Sequence, residues 1–227
     1  MWSPTVSSDE LWHHGIKDQR WGVRNGPPYP LSKASTKLAL QICKKAYLKE
    51  PKITTDVVSA VNSTGGQMYG LEHKLKTKDS VKRKIETNSE EKNITYKEAA
   101  ADIKDAVRYT AISSDKDFVK NYNNIKKSLE TKGYKEERCK NYFDLYDKGK
   151  VKHKSVQSVF SDKDGYQFEI QFHTPSSQQA KNKKIPIYEE RRKPGNSDKR
   201  NAELEKQMVD LAEKVTRPNG IETIKSH

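Results

Sequence analysis

The sequence predicts an α+β fold, a single mixed or antiparallel sheet with helices packed on it. Three observations carry this. Apolar residues recur with a helical period near both ends of the chain. A period-two alternation runs through residues 156–173 around an Asp-Gly turn. The elements follow in the order helices, strand, helix, strand, hairpin, helix.

Residues 1–31 are set apart as an extended leader, because Gly26-Pro27-Pro28-Tyr29-Pro30 forbids helix where a domain would begin. Trp12 and Trp21 lie beside basic residues in it, which suits a docking segment. From Ser32 to about Lys49, Leu38, Ile42 and Ala46 recur every four residues, with Ser32 or Ser35 as N-cap, and predict a helix. A second helix is expected from Thr54 or Thr55 through Val57, Val58 and Val61 to Gly65-Gly66, and a short third over Lys76–Ile85. The β-branched and small apolar residues of 103–112 predict a buried strand. Phe118, Tyr122, Ile125 and Leu129 step by four, three and four before Gly133, an amphipathic helix with a glycine stop. Tyr134 to about Tyr142 reads as a strand.

The clearest element is a hairpin. Val156–Phe160 and Tyr166–His173 flank Asp162-Lys163-Asp164-Gly165. In its second strand Tyr166, Phe168, Ile170 and Phe172 share one face, and Gln167, Glu169, Gln171 and His173 the other. Past Pro186 the chain is charged, and residues 191–197 are expected as a mobile loop. A last helix carries Leu204, Met208, Leu211 and Val215 and stops at Pro218 and Gly220. The expected organisation is a leader at 1–31, one domain over 32–217 and a tail at 218–227, without internal repeats.

Composition narrows the function. The 227 residues hold 44 Lys and Arg against 31 Asp and Glu, and 44 − 31 gives +13. A charge of that size points to nucleic acid or a smaller polyanion as ligand. No apolar run is long enough to span a bilayer, and no secretory h-region is present. Cys43 and Cys139 cannot build a disulfide framework or a four-cysteine zinc site, so a reducing cytoplasm is the expected setting. Walker, zincin, nucleophile-elbow and Rossmann signatures are missing. Adjacent His13 and His14 lack a second ligand pair.

Two segments carry candidate chemistry. Lys74–Lys84 holds six cations and opens a helix, which suits a triphosphate or an RNA backbone, or a merely solvated basic face. On the hairpin, Glu169 stands alone among Gln and His on a strand anchored by four large apolar side chains. Such rigid placement is what catalysis needs, although an ordinary exposed strand face would look alike.

Taken together, the segments between about Gly70 and Arg192 resemble the synthetase domain of the RelA/SpoT family, enzymes that move pyrophosphate from ATP to a nucleotide 3′-hydroxyl. Lys74-Leu75-Lys76-Thr77-Lys78-Asp79-Ser80 through Ile85 resembles the family's ATP-binding segment, with Lys74 in place of an arginine. Asp102 to Arg108 resembles the segment that supplies a magnesium-binding aspartate and an adenine-stacking arginine. The register departs here: the family places Asp five residues before Arg, whereas Asp105 is three before Arg108 and Asp102 six, and Asp105 is favoured as ligand. His153-Lys154-Ser155-Val156-Gln157 lies where the family has Tyr-Arg-Ser-Leu-His, and Glu169-Ile170-Gln171-Phe172-His173-Thr174 resembles Glu-Ile-Gln-Ile-Arg-Thr. Divergent toxin-like members give a closer pattern to Asp105–Thr110, Gln171–Thr174 and Tyr188-Glu189-Glu190-Arg191.

The resemblance implies a nucleotidyltransferase-like fold and an ATP-dependent pyrophosphokinase, acting as a toxin or an alarmone synthetase. Lys74, Lys76, Ser80 and Lys84 would hold the ATP phosphates, and Arg108 would stack on adenine or cover phosphate. Asp105 and Glu169 would bind Mg²⁺, and Glu169 would orient or deprotonate the attacking hydroxyl. His153, Lys154, Gln157, Gln171 and His173 would face the acceptor, a nucleotide or the 3′ end of a tRNA. The leader is similar to a short His-His-Gly-Ile, Gln-Arg-Trp-Gly-Val-Arg segment of phage head-associated proteins, which implies a phage structural partner and leaves virion association open. The alternative is a non-enzymatic phage-associated protein that binds nucleic acid or capsid.

Overall fold

The computed structural model describes residues 33–227 apart from 150, 152 and 192–194. The leader, Ser32 and the middle of the expected loop at 191–197 lie outside the described residues. Among the described residues, one compact unit comprises 33–179 with 215–227, and a second comprises 180–214.

The first unit begins with a difference from expectation. One helix, α1 (Lys33–Asn62), replaces two, and Pro51 lies inside it. An interior proline loses a hydrogen bond and crowds the carbonyl four residues back, at a cost of about 3 kcal/mol. Ala39, Ala46, Ile53, Val57, Ala60 and Val61 are buried on both sides of it, and burying that continuous stripe outweighs the local cost.

Then follow β1 (Gln67–Met68), α2 (Lys78–Lys92) and α3 (Tyr96–Ala101). Thr77 caps α2, its hydroxyl accepting from the Ser80 amide at 3.2 Å. Nothing in the apolar periodicity announces α3, but its capping box, Thr95 with Glu98, was there to read.

The strand expected over 103–112 is shorter, β2 (Arg108–Ile112). The residues before it pair instead with the lysine segment. Lys76 N–H donates to the Ala106 carbonyl at 3.0 Å, Arg108 N–H to the Lys74 carbonyl at 2.8 Å, and Leu75 faces Val107. Helix α4 (Phe118–Thr131) stops before Gly133, whose φ of 88° only glycine adopts readily. Next come β3 (Lys135–Asn141), α5 (Tyr142–Asp147), β4 (Val156–Ser161) and β5 (Gln167–His173). The hairpin forms as expected: the Asp162 carboxylate accepts from the amides of Asp164 and Tyr166 at 2.9 and 2.8 Å, and Gly165 has φ 77°.

These strands form one mixed five-stranded sheet in the order β1-β2-β5-β4-β3, so the architecture is α+β with flanking helices. Only β2 and β5 run parallel. The face carrying Phe168, Ile170 and Phe172 is the core side. Phe168 meets Tyr109, Tyr134 and Phe160 at ring-centroid distances of 6.2, 5.4 and 5.9 Å, and Phe172 meets Tyr122 of α4 at 5.0 Å. A β-bulge lies between Glu136 and Arg138. Glu136 stays on the core side, where Tyr122 and Lys126 hydrogen-bond it at 2.7 and 2.6 Å.

Residues 218–227, set apart above as a tail, carry a 3-10 turn at Ile221–Thr223 with Ile221 and Ile224 buried. His227 exchanges backbone hydrogen bonds with Cys139 of β3 at 2.9 and 3.1 Å.

Helix α6 (Pro175–Arg191) runs from the first unit into the second and continues through Pro186, a stretch for which no helix was expected, and it ends where the loop at 191–197 was expected to begin. Within the second unit it is followed by α7 (Asp198–Glu213), capped by Ser197. Arg200 forks onto Glu190 Oε1 at 2.6 and 2.8 Å, and Arg191 meets Glu205 at 3.1 Å.

Candidate active site

Sheet register assembles the site. Arg108 of β2 is the cross-strand partner of Glu169 of β5, Glu169 is the partner of Val159 of β4, and Val159 that of Arg138 of β3. One row up, Thr110, Gln171, Gln157 and Lys140 align in the same way. Because side chains alternate along a strand, both rows lie on the sheet face opposite the aromatic core.

Along β5 that face is covered, although Lys140 at its β3 edge is exposed. Glu169, Gln171 and His173 are only 7%, 6% and 4% exposed, which sets them apart from an ordinary outward strand face. Gln171 Nε2 donates to Glu169 Oε1 at 2.7 Å, and Ser177 Oγ lies 2.8 Å from His173 Nδ1. A buried carboxylate with its own amide donor is held in position by more than its backbone.

Beside this row lies a charge cluster. The pairing of 74–76 with 106–108 brings the lysine segment against the approach to β2. Lys84 Nζ reaches Asp105 Oδ1 at 2.8 Å, and Lys76 Nζ reaches Oδ2 at 3.3 Å. Asp105 is buried. Burial pulls the Lys76 ammonium below its ordinary value, and Arg108 and Lys84 add to this against the opposing pull of Asp105. Burial alone would raise the Asp105 carboxyl, but Lys76, Lys84 and Arg108 together outweigh it and hold it low. Lys74 pairs with Glu50 of α1 at 3.5 Å, and Ser80 stands in the first turn of α2 with its Oγ 3.0 Å from Thr77 Oγ1. Of the two candidate aspartates, Asp105 is in this cluster, while Asp102 caps the end of α3, half-exposed and paired with Lys92.

A carboxyl held low in the folded state stabilises the fold at pH above its unfolded value of about 4, and that stabilisation is lost as pH falls through the folded value. Asp105→Asn is therefore expected to cost about 2 kcal/mol near neutral pH and to flatten this part of the acid limb. Thermal unfolding followed between roughly pH 6 and 2.5 checks it, and parallel curves for variant and wild type would contradict it.

The residues expected to face an acceptor are spread more widely. Gln157 sits opposite Gln171. The exposed His153 ring packs against Tyr142, centroids 4.3 Å apart and the planes tilted by 38°. Lys154 Nζ lies over the Tyr146 ring at 4.5 Å and donates to the Val215 carbonyl at 3.1 Å, which occupies it away from the Glu169 row. Two residues the sequence reading did not select belong to this face. The Tyr142 hydroxyl is pushed up by burial, with Glu169 adding to the rise and Arg138 opposing it, so both charges act on this hydroxyl. Arg138 comes into the Glu169 row only through the bulge.

Comparison with known structures gives the following. The chain is similar to a structure of the complex between the type VI effector Tas1 and its immunity protein, at 19% identity over 79% of this chain and 98% of the other, TM-score 0.47. It is similar to the small alarmone synthetase 2 of Bacillus subtilis, at 13% identity over 76% and 90% of the two chains, TM-score 0.49. The small alarmone synthetase 1 of Bacillus subtilis bound to its product pppGpp gives 14% identity over 77% and 88%, TM-score 0.47. No protein-family model and no curated protein matches the chain. What the site can do is set by its own residues.

A divalent ion can be tested against them. Among the described residues no group of three or more His, Cys, Asp or Glu side chains gathers to form an all-protein cage. Mg²⁺ is commonly held by one or two carboxylates completed by substrate phosphates, and Asp105 and Glu169 offer that donor chemistry beside cations suited to phosphate. Among the described residues no helix is long and apolar enough to cross a membrane.

Proposed function

We propose that the chain transfers pyrophosphate from ATP to the 3′-hydroxyl of a nucleotide or of a tRNA 3′ end. One observation carries this reading: a buried, amide-anchored Glu169 stands in register between an Arg-and-lysine cluster and a face of hydrogen-bonding side chains. Phosphoryl transfer asks a protein mainly to position reactants and neutralise charge. Lys74, Lys76, Ser80 and Lys84 neutralise and orient the triphosphate, with Arg108 over the phosphates or the adenine. Glu169 accepts the proton of the acceptor hydroxyl as its oxygen bonds to the β-phosphorus; the bond from that phosphorus to the α–β bridging oxygen breaks, and AMP leaves. Gln157, Gln171 and His173 orient the acceptor, and Tyr142 with His153 offers its base a stacking surface. Asp105 and Glu169 would hold Mg²⁺, which neutralises charge on the transferring group.

The test uses ATP labelled at the γ or the α position, Mg²⁺, and each acceptor in turn, with products separated by chromatography. γ label should appear in the acceptor product and α label in AMP. If no acceptor takes up γ label, the transfer reading fails. A plain nucleic-acid binder would instead show steeply salt-dependent affinity and no ATP consumption.

A further inference from the structure

We propose that Glu50 of α1 is a positioning residue that holds the Lys74 ammonium where it meets the ATP phosphates. This rests on the transfer reading above, in which Lys74 is one of the cations on the triphosphate.

The lysines of the segment are not held alike. Lys76 and Lys84 share Asp105, a carboxylate of the site itself. Among the described residues the ion-pair partner of Lys74 is instead Glu50, 3.5 Å away on a helix outside the segment. The Glu50 side chain is 13% exposed and that of Lys74 29%, so the carboxylate is the fixed member, and the ammonium keeps donors open to a ligand. Pairing with 106–108 fixes only the backbone of Lys74. Four rotatable bonds separate that backbone from the ammonium, and ordering them works against any ligand that needs the charge in one place.

Glu50 is itself held by a chain of hydrogen bonds. Thr54 Oγ1 donates to Glu50 Oε1, the atom that Lys74 meets, and lies 2.7 Å from the Tyr109 hydroxyl. A threonine hydroxyl has one proton, so with that proton directed at Glu50 the Tyr109 hydroxyl must donate to Thr54. Burial pushes the Tyr109 hydroxyl up, against the pull of Thr54 and with Glu50 adding to the rise, which keeps in place the proton this chain needs. Tyr109 follows Arg108 on β2, so the chain ties Glu50 to the strand that carries Arg108 into the site.

This turn of α1 depends on such ties. Pro51 follows Glu50 and has no N–H, so the helix lacks one backbone bond there. Lys49, on the other side of Glu50, reaches Asp162 and Asp164 in the hairpin turn at 2.7 and 2.5 Å. Lys49, Glu50 and Thr54 thus fasten one stretch of α1 to the hairpin that carries β5, to the lysine segment and to β2. A helix glutamate that holds a phosphate-binding lysine recurs in protein kinases, where the pair must be in place for phosphoryl transfer. The Glu50 charge also repels phosphate, and that effect has the opposite sign. Positioning prevails if loss of Glu50 weakens ATP binding, and does so only while Lys74 is present.

The experiment is a double-mutant cycle of Glu50→Gln and Lys74→Met. Affinity for ATP with Mg²⁺ is measured by calorimetry without acceptor, and KM for ATP, KM for the acceptor and kcat are measured in the transfer reaction. Glu50→Gln keeps an acceptor for Thr54 and removes only the charge. It is expected to raise Kd and KM for ATP about five- to tenfold, with kcat at saturating ATP and KM for the acceptor within about twofold of wild type. Glu50→Asp, which keeps the charge, should recover part of this loss. Lys74→Met should weaken ATP binding at least as much, and Glu50→Gln should add no further loss to it, whereas a merely structural role would weaken both backgrounds alike. A further loss of the same size in the double variant overturns the assignment. So does unchanged ATP affinity in either single variant, or tighter binding by Glu50→Gln, which would make Glu50 a competitor of phosphate. The cycle is read on binding, so it is separable from transfer. If wild type binds ATP but labels no acceptor, a non-additive cycle sustains the positioning role while the transfer reading falls; if wild type transfers and the cycle is additive, only the positioning role falls. Wild type that binds no ATP overturns both.

Discussion

Glu169→Gln is expected to abolish transfer, by about three to four orders of magnitude in kcat, while leaving the fold intact. The substitution keeps the size and hydrogen-bonding capacity of the side chain and removes only its charge and its ability to take a proton. Gln171 can still meet the carbonyl oxygen of the new amide as it meets Glu169 Oε1 now. The cross-strand row from Arg108 to Val159 depends on backbone pairing, which the change does not touch. Near-equal thermal midpoints with lost turnover would separate a chemical role from a structural one. Turnover close to wild type would show that the site is elsewhere, whatever the outcome at Glu50.

The largest stability effect is expected at Phe168→Ala, about 3–5 kcal/mol. Phe168 is fully buried at the meeting point of Tyr109, Tyr134 and Phe160, rings from three other parts of the sheet region. Truncation removes the transfer free energy of the ring and leaves a cavity that four strands cannot easily close around. Denaturant unfolding checks this; a loss below about 1 kcal/mol would mean that the core repacks freely. Since Glu169 is the next residue on the same strand, a loosened Phe168 should also lower turnover at temperatures where the chain is still folded.

The two sites differ in how well the sequence announces them. The hairpin was legible in full, because period-two alternation and an Asp-Gly turn are local signals, and the polar face of β5 could be read without a partner strand. Its burial could not, since Gln and Glu on a strand look solvent-facing until the covering layer is known. Helix α1 was misread as two because Pro51 is a strong local breaker, and only the shared burial of Ala46 and Ile53 on either side overrules it. Helix α6 was missed for the same reason at Pro186. Strand β1 has two residues, too few for any period to register. The ion pairs of Asp105 with Lys76 and Lys84 join residues far apart in the chain, and the choice between Asp102 and Asp105 could not be made from spacing. Arg138 shows the limit most plainly. A bulge has no sequence signature here, so the strand pattern alone points its side chain to the wrong face.

The single parallel pairing, β2 with β5, has a consequence for synthesis. Arg108 and its partner Glu169 are separated by 169 − 108 = 61 residues. At roughly 5–20 residues per second, about 3–12 s pass between the emergence of one and of the other from the ribosome. Strand β5 must then enter between β2 and β4. Until it does, β2 and β4 lack the strand that joins them, and Arg108 and the lysines of residues 74–84 stand without Glu169, so a truncated product ending before β5 has neither the central strand of the sheet nor the row that crosses it.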